Sequence, residues 1–382
     1  MFDVHVTLDG QPLRYTFVSH QPDFADPMIA LTTGDGQAQF PDLKSTAKID
    51  VSVHAQNLAV RMLDGTKTSN VEKSLTFRNK TNGARLNISK RDKTFDYYDI
   101  MTRCYDVYET VFRPIAPFSG PSRRAFPYGG STKSAHELKR NPAIDCRYPE
   151  KIAPGKLPWV QPQSVMGGRP LMHVKAQSVD SRLFGTKTRP ATTIAHEYAH
   201  SVHFALLSSV ERWLLAAKYG IWIAKELAQG KPGTHRTDKR TAPLIAYVES
   251  IGIFSQRFYL FATEVRPDLA GAALRAAFVD DELSGEPALS KLLPGYVKIA
   301  TRSEAGAIKP HLTGASVEGS VYGAIFLDLA TRTSLANAVN WFLRCGASDV
   351  GGYIDYASKQ RRGAYKAELE AVSATWRLGA AR

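Results

Sequence analysis

Cysteine is scarce in this chain. Three thiols in 382 residues, Cys104, Cys146 and Cys345, stand far apart, so the sequence holds no CxxC metal or redox motif and no disulfide framework. One disulfide pair remains open. Long apolar runs are missing too: no stretch approaches the roughly 18 residues of a membrane span, and the start, MFDVHVTLDG, lacks the basic-then-apolar pattern of an export signal. Acid is in deficit. Against 49 Lys+Arg there are 36 Asp+Glu, a net charge of +13 that favours an acidic partner or surface but says nothing of fold. With 43% hydrophobic and 10% aromatic residues the chain can bury a sizeable interior, which excludes wholesale disorder and a collagen-like repeat. Its length favours two or three domains.

From Phe2 to about Ile88 short alternating runs (VHVTL, LRYTFV, IDVSVHA, LAVRML, KSLTF) are separated by turn signals such as Gly34-Asp35-Gly36 and Asn82-Gly83. They predict a β-sandwich over residues 1–88. The basic stretch Arg85 to Lys93 reads as a solvated face, or as a patch for an acidic polymer. Residues 89–189 read as a loop-rich α+β segment, with helical spacing from Phe95 to Phe112 and an edge strand at Leu171 to Val179. From Pro190 to the end, residues 190–382, helical patterns dominate: Ala191–Ser209, Val210–Gln229, Thr241–Thr263, Asp268–Asp281, Ser316–Thr331 and Leu335–Cys345. The expected class is α+β.

Chemistry concentrates in one heptapeptide. Ile194-Ala195-His196-Glu197-Tyr198-Ala199-His200 is an HExxH sequence in a helical pattern, and histidines at i and i+4 share one face, where both imidazoles can reach a single Zn²⁺. Glu197 lies about 100° around the helix from His196, placed to take a proton from zinc-bound water. With 10 His and 15 Glu in the chain, the accidental expectation is only about 0.01 matches. His203, at i+7 from His196, reads as core or supporting packing rather than as a ligand.

Such a site needs a third protein ligand and an open position. In TAPLIAYVESIGIFSQ, Thr241 to Gln256, Glu249 is the one charged residue of an apolar helical pattern, and a buried carboxylate there asks for a cation. Zinc is one answer, and a helix N-terminus or an arginine partner such as Arg257 is the other. Glu226 and Glu264 read as solvated, and Glu211 follows the motif too closely to return across a second helix.

HExxH, a gap of about fifty residues, then helical Glu249-Ser250-Ile251-Gly252 resembles the gluzincin metallopeptidases of the thermolysin and fungalysin kind, over roughly Phe95 to Ser348. The N-terminal part resembles the immunoglobulin-like or transthyretin-like modules appended to secreted peptidases. The resemblance implies a zincin-like helical catalytic domain with a small antiparallel sheet. It implies one catalytic Zn²⁺ on His196, His200 and Glu249, Glu197 as general base, and a peptide or protein substrate held along the edge strand. A secreted or exported protein would fit the family. It also implies an oxyanion donor from the C-terminal half, for which Tyr322 in GSVYGAIFLDLA is favoured over His311, with plain packing of Tyr322 equally open. The thermolysin-type Asp four residues after the ligand Glu is replaced by Ile253, so a partner for a zinc histidine must come from elsewhere, with Asp328 as a substitute. The alternative function is a peptidase-like zinc-binding module that holds an acidic polymer or protein without catalysis.

Overall fold

The computed structural model describes residues 2–20, 28–40, 48–65, 71–78, 83–117, 144–148, 159–161, 171–173, 190–208, 210–215, 217–218, 242–284, 286–292 and 321–376. It contains both helices and sheets, an α+β chain that divides into two compact units. The first comprises residues 1–108, 118–159 and 171–183, and the second residues 109–117, 160–170 and 184–382.

In the first unit strand β1 (Phe2–Leu8) alternates buried and exposed side chains, the period-2 pattern of a half-buried strand. It turns back into β2 (Gln11–Pro12) through Asp9 and Gly10, both at positive φ as a two-residue hairpin of this kind requires. β5 (Gln37–Phe40) runs antiparallel to the start of β1 along the same edge as β2, and β9 (Ala84–Ile88) runs parallel along the other edge.

A second sheet is centred on β6 (Lys48–Asn57), which is antiparallel to both β3 (Thr16–His20) and β8 (Glu72–Arg78). β4 (Met28–Leu31) extends it beyond β3, and β7 (Arg61–Asp64) continues it toward β10 (Asp145–Tyr148). β10 and the strand Leu171–His173 run parallel. This unit does not end at residue 88. Arg61 donates through Nε and Nη2 to Asp145, 2.8 Å each, clamping β10 in parallel register against β7. Helix α1 (Phe95–Val107) belongs to it as well, because Tyr98, Ile100, Met101, Cys104 and Tyr105 are buried on it. The Tyr98 hydroxyl donates to the Val53 carbonyl, and Asn57 Nδ2 donates to the Met101 carbonyl. The expected edge strand is described only over Leu171–His173; the rest of it, to Val179, lies outside the described residues.

The second unit is built on helices α2 (Pro190–Leu206), α3 (Ala242–Leu260), α4 (Gly271–Glu282), α5 (Leu335–Leu343), α6 (Val350–Ser358) and α7 (Lys366–Trp376). The pattern expected from Ser316 to Thr331 is helical from residue 321 on, widened to a π-turn over Gly323–Asp328. α2 and α3 lie side by side. Pro190 opens α2, a position where a missing N–H costs nothing. The core is aromatic: Phe254 stacks on Phe258 and Phe326, with ring centroids 5.5 and 4.9 Å apart, and Tyr247 stacks on Phe342 at 4.5 Å. All three cysteines are buried free thiols, so the disulfide left open by the sequence is not formed. Among the described residues no helix is long and apolar enough to cross a membrane.

Candidate metal site

HEYAH lies in the body of α2, and its neighbours explain its placement. Ile194, Ala195, Tyr198, Ala199 and Val202 are buried, and Tyr198 packs toward Phe112 with ring centroids 6.3 Å apart. This apolar surface anchors the helix while the i, i+4 spacing carries His196 and His200 together toward α3. Their imidazoles meet edge to face, centroids 4.9 Å apart and planes at 77°.

The third group comes from α3. Glu249 Oε2 lies 3.0 Å from His196 Nε2 and 3.7 Å from His200 Nε2, so one carboxylate oxygen serves both rings. Ligating atoms of His196, His200 and Glu249 all fall within 4.8 Å of one another, a group that can hold a metal ion. The side chains of His200 and Glu249 are 7% and 8% exposed, against 21% for His196, so solvent reaches the group on the His196 side.

Electrostatics follow from this burial. Taking the Glu249 carboxyl out of water would by itself raise its pKa, but the charges and hydrogen bonds of His200 and His196 outweigh that and hold it well below the usual carboxylate range. Glu197 is half-buried one residue after His196. Its carboxyl is pushed up to about 8, by desolvation first and by the nearby Glu249 charge, with His196 pulling the other way.

The competing partner for Glu249 is engaged elsewhere. Arg257 Nε donates to Glu282 Oε2 at 3.0 Å, both side chains almost fully buried, and the Tyr322 hydroxyl donates to the same oxygen at 3.0 Å. The Arg257 guanidinium also lies over the Tyr322 ring, 5.4 Å from its centroid. Tyr322 is therefore held in a buried Arg-Glu-Tyr cluster. Asp328, buried, accepts from Arg332 Nε at 3.1 Å, an i, i+4 pair along its own helix. His203 points its Nε2 at the Cys345 carbonyl, 3.2 Å away, and packs on Phe342; it is not among the three converging groups. Glu264 is exposed, and Glu211 accepts from the Ser208 N–H and hydroxyl at the start of the next helical stretch. His311 and Glu226 lie outside the described residues.

Two residues with roles here carry little sequence signal. Glu282 follows Asp280 and Asp281, and three adjacent acids do not show which one turns inward. Gly252 is the other: a Cβ at that position would overlap the His196 imidazole. Compared with protein-family models and with curated proteins, the chain matches none.

Proposed function

We propose that this chain is a zinc-dependent metalloendopeptidase of gluzincin type. The reading is carried by one observation: two histidines of an HExxH helix and a carboxylate from a second helix converge, with Glu197 beside them. Two imidazole nitrogens and one carboxylate oxygen form a donor set that suits zinc, and three protein ligands leave a position open as catalytic zinc sites do. His196, His200 and Glu249 would hold the ion. When bound, zinc supplies Lewis acidity toward water and toward a substrate carbonyl.

The protein's own part is proton handling and shielding. In this reading a Glu197 carboxylate oxygen takes the proton from the attacking water and delivers it to the leaving amine, since this residue alone of the HExxH set is not a ligand. The buried faces of α2 and α3 limit water to one side, where partly exposed His196 marks the approach of an extended peptide. The N-terminal unit is read as an accessory β-sandwich appended to the peptidase, with the +13 charge favouring acidic substrates or surfaces. A secreted or exported protein accords with this reading.

The test joins metal analysis to proteolysis. The purified chain is expected to carry about one zinc and to cleave a denatured protein, with activity lost to a chelator and restored by zinc. Glu249→Ala is expected to lower zinc affinity by more than the roughly 10- to 100-fold that loss of an outer partner costs, while Glu264→Ala leaves it unchanged. Equal zinc retention in both variants removes Glu249 from the site, and a chain with neither zinc nor cleavage overturns the enzyme.

A further inference from the structure

We infer that Gly252 is a positioning residue for the metal site: its missing side chain is the seat on which the His196 imidazole lies. The inference rests on the metal-site reading above. Gly252 falls three residues after Glu249, hence on the same face of α3, and it sits inside a regular helix where glycine has no conformational duty. Its φ is not in the left-handed region that calls for glycine at Gly10 and Gly36. Glycine in a helix interior is less favourable than alanine, so a packing reason is needed.

The geometry supplies one. A Cβ on residue 252 would stand 2.6 Å from His196 Cε1, 2.7 Å from Nε2 and 2.8 Å from Nδ1, closer than any carbon contact tolerates. The ring is thus pressed against the α3 backbone, and it cannot simply move aside. Glu249 holds its Nε2 at 3.0 Å, and His200 bounds it edge-on at 4.9 Å. Any group larger than hydrogen at 252 must rotate the imidazole off Glu249 or push α2 away from α3, and both helices are anchored by buried aromatics, Tyr198 against Phe112 and Phe254 against Phe326. Either response spoils the convergence of the three ligating atoms. Gly252 touches no substrate in this account; it acts through His196.

Gly252→Ala is the discriminating variant, because in an unobstructed helix the same change is neutral or stabilising. Zinc affinity is measured by chelator competition, ligand geometry by the visible spectrum of the cobalt-substituted protein, and metal-free thermal stability for Gly252→Ala, His196→Ala and the double variant. Expected are a loss of zinc affinity of about 10- to 100-fold and an altered cobalt spectrum in Gly252→Ala, as when a ligand's support is removed. In the His196→Ala background, with the ring gone, Gly252→Ala is expected to be harmless or to raise Tm. Zinc affinity within about threefold of the parent with an unchanged spectrum overturns the inference. So does equal destabilisation by Gly252→Ala with and without the His196 ring, which would assign the glycine to helix packing alone. A parent chain that binds no zinc is a different outcome: it defeats the metal-site reading itself and this inference with it.

Discussion

Glu197 and His203 lie on one helix six residues apart and are both withdrawn from water, yet their chemistry diverges. Glu197 keeps an edge in solvent beside the three converging groups, where the proposed base would exchange a proton with a substrate; Glu197→Gln keeps the shape and removes that proton acceptor. The expected outcome is normal zinc content with turnover lowered by about 10²- to 10⁴-fold, read from peptide cleavage with metal analysed in the same sample. Parental turnover in that variant would exclude Glu197 as base.

His203 is enclosed by Phe204, Phe342 and the Cys345 carbonyl, and burial drives its pKa down to about 4, with the hydrogen bond to Cys345 partly opposing. The folded chain therefore keeps it neutral where the unfolded chain, near 6.5, would protonate. Its contribution to stability is complete above about pH 6.5 and is lost as pH falls toward 4, on the order of 3 kcal/mol across that window. Urea unfolding of the metal-free protein at pH 7 and pH 4.5 is expected to show a steeper loss for the parent than for His203→Phe; equal slopes would place the proton elsewhere.

At the scale of elements, the second unit joins α3 to α4 and to the π-widened helix through one carboxylate. Glu282 from α4 neutralises Arg257 from α3 and accepts from Tyr322. Removing one member of a buried ion pair costs about 3 to 5 kcal/mol, because the remaining charge has lost its counter-ion away from water. Glu282→Gln is expected to destabilise by that amount. Tyr322→Phe, which deletes only a hydrogen bond to a charged acceptor, should cost about 1.5 to 3 kcal/mol. Denaturant midpoints check both. If Tyr322 serves only this cluster, Tyr322→Phe retains parental kcat; a fall of 10² to 10³-fold with zinc in place would instead return it to the oxyanion role.

At the scale of the whole molecule, the division into units has a consequence for truncation. α1 and β10 follow the first eighty-eight residues in sequence but complete their unit: Tyr98 bonds to Val53, Asn57 to Met101, and Arg61 to Asp145. A chain starting at Lys90 is expected to leave the apolar face of α1 uncovered and to bind a hydrophobic dye or aggregate, whereas one that is monomeric and dye-free would show that α1 does not need the strands.

What was legible in the sequence is what local periodicity and residue chemistry decide. Alternation marked the strands from VHVTL to KSLTF, the 3.6 period marked α2 and α3, and HExxH with a lone acid in an apolar helix named His196, Glu197, His200 and Glu249. These signals are short-range: a helix face follows from spacing alone, and a charge amid apolar neighbours shows its cost without any partner in view. What only the tertiary structure decided are pairings between distant segments. Arg257 and Glu249 are eight residues apart, so sequence could not say that the guanidinium turns to Glu282 and leaves the carboxylate to the histidines. The reach of the first unit past residue 88 depends on β10 meeting β7 across about eighty residues. In the sequence Gly252 is only a glycine three residues after Glu249; its meaning comes from a ring on another helix, fifty-six residues earlier, occupying the volume a methyl group would need.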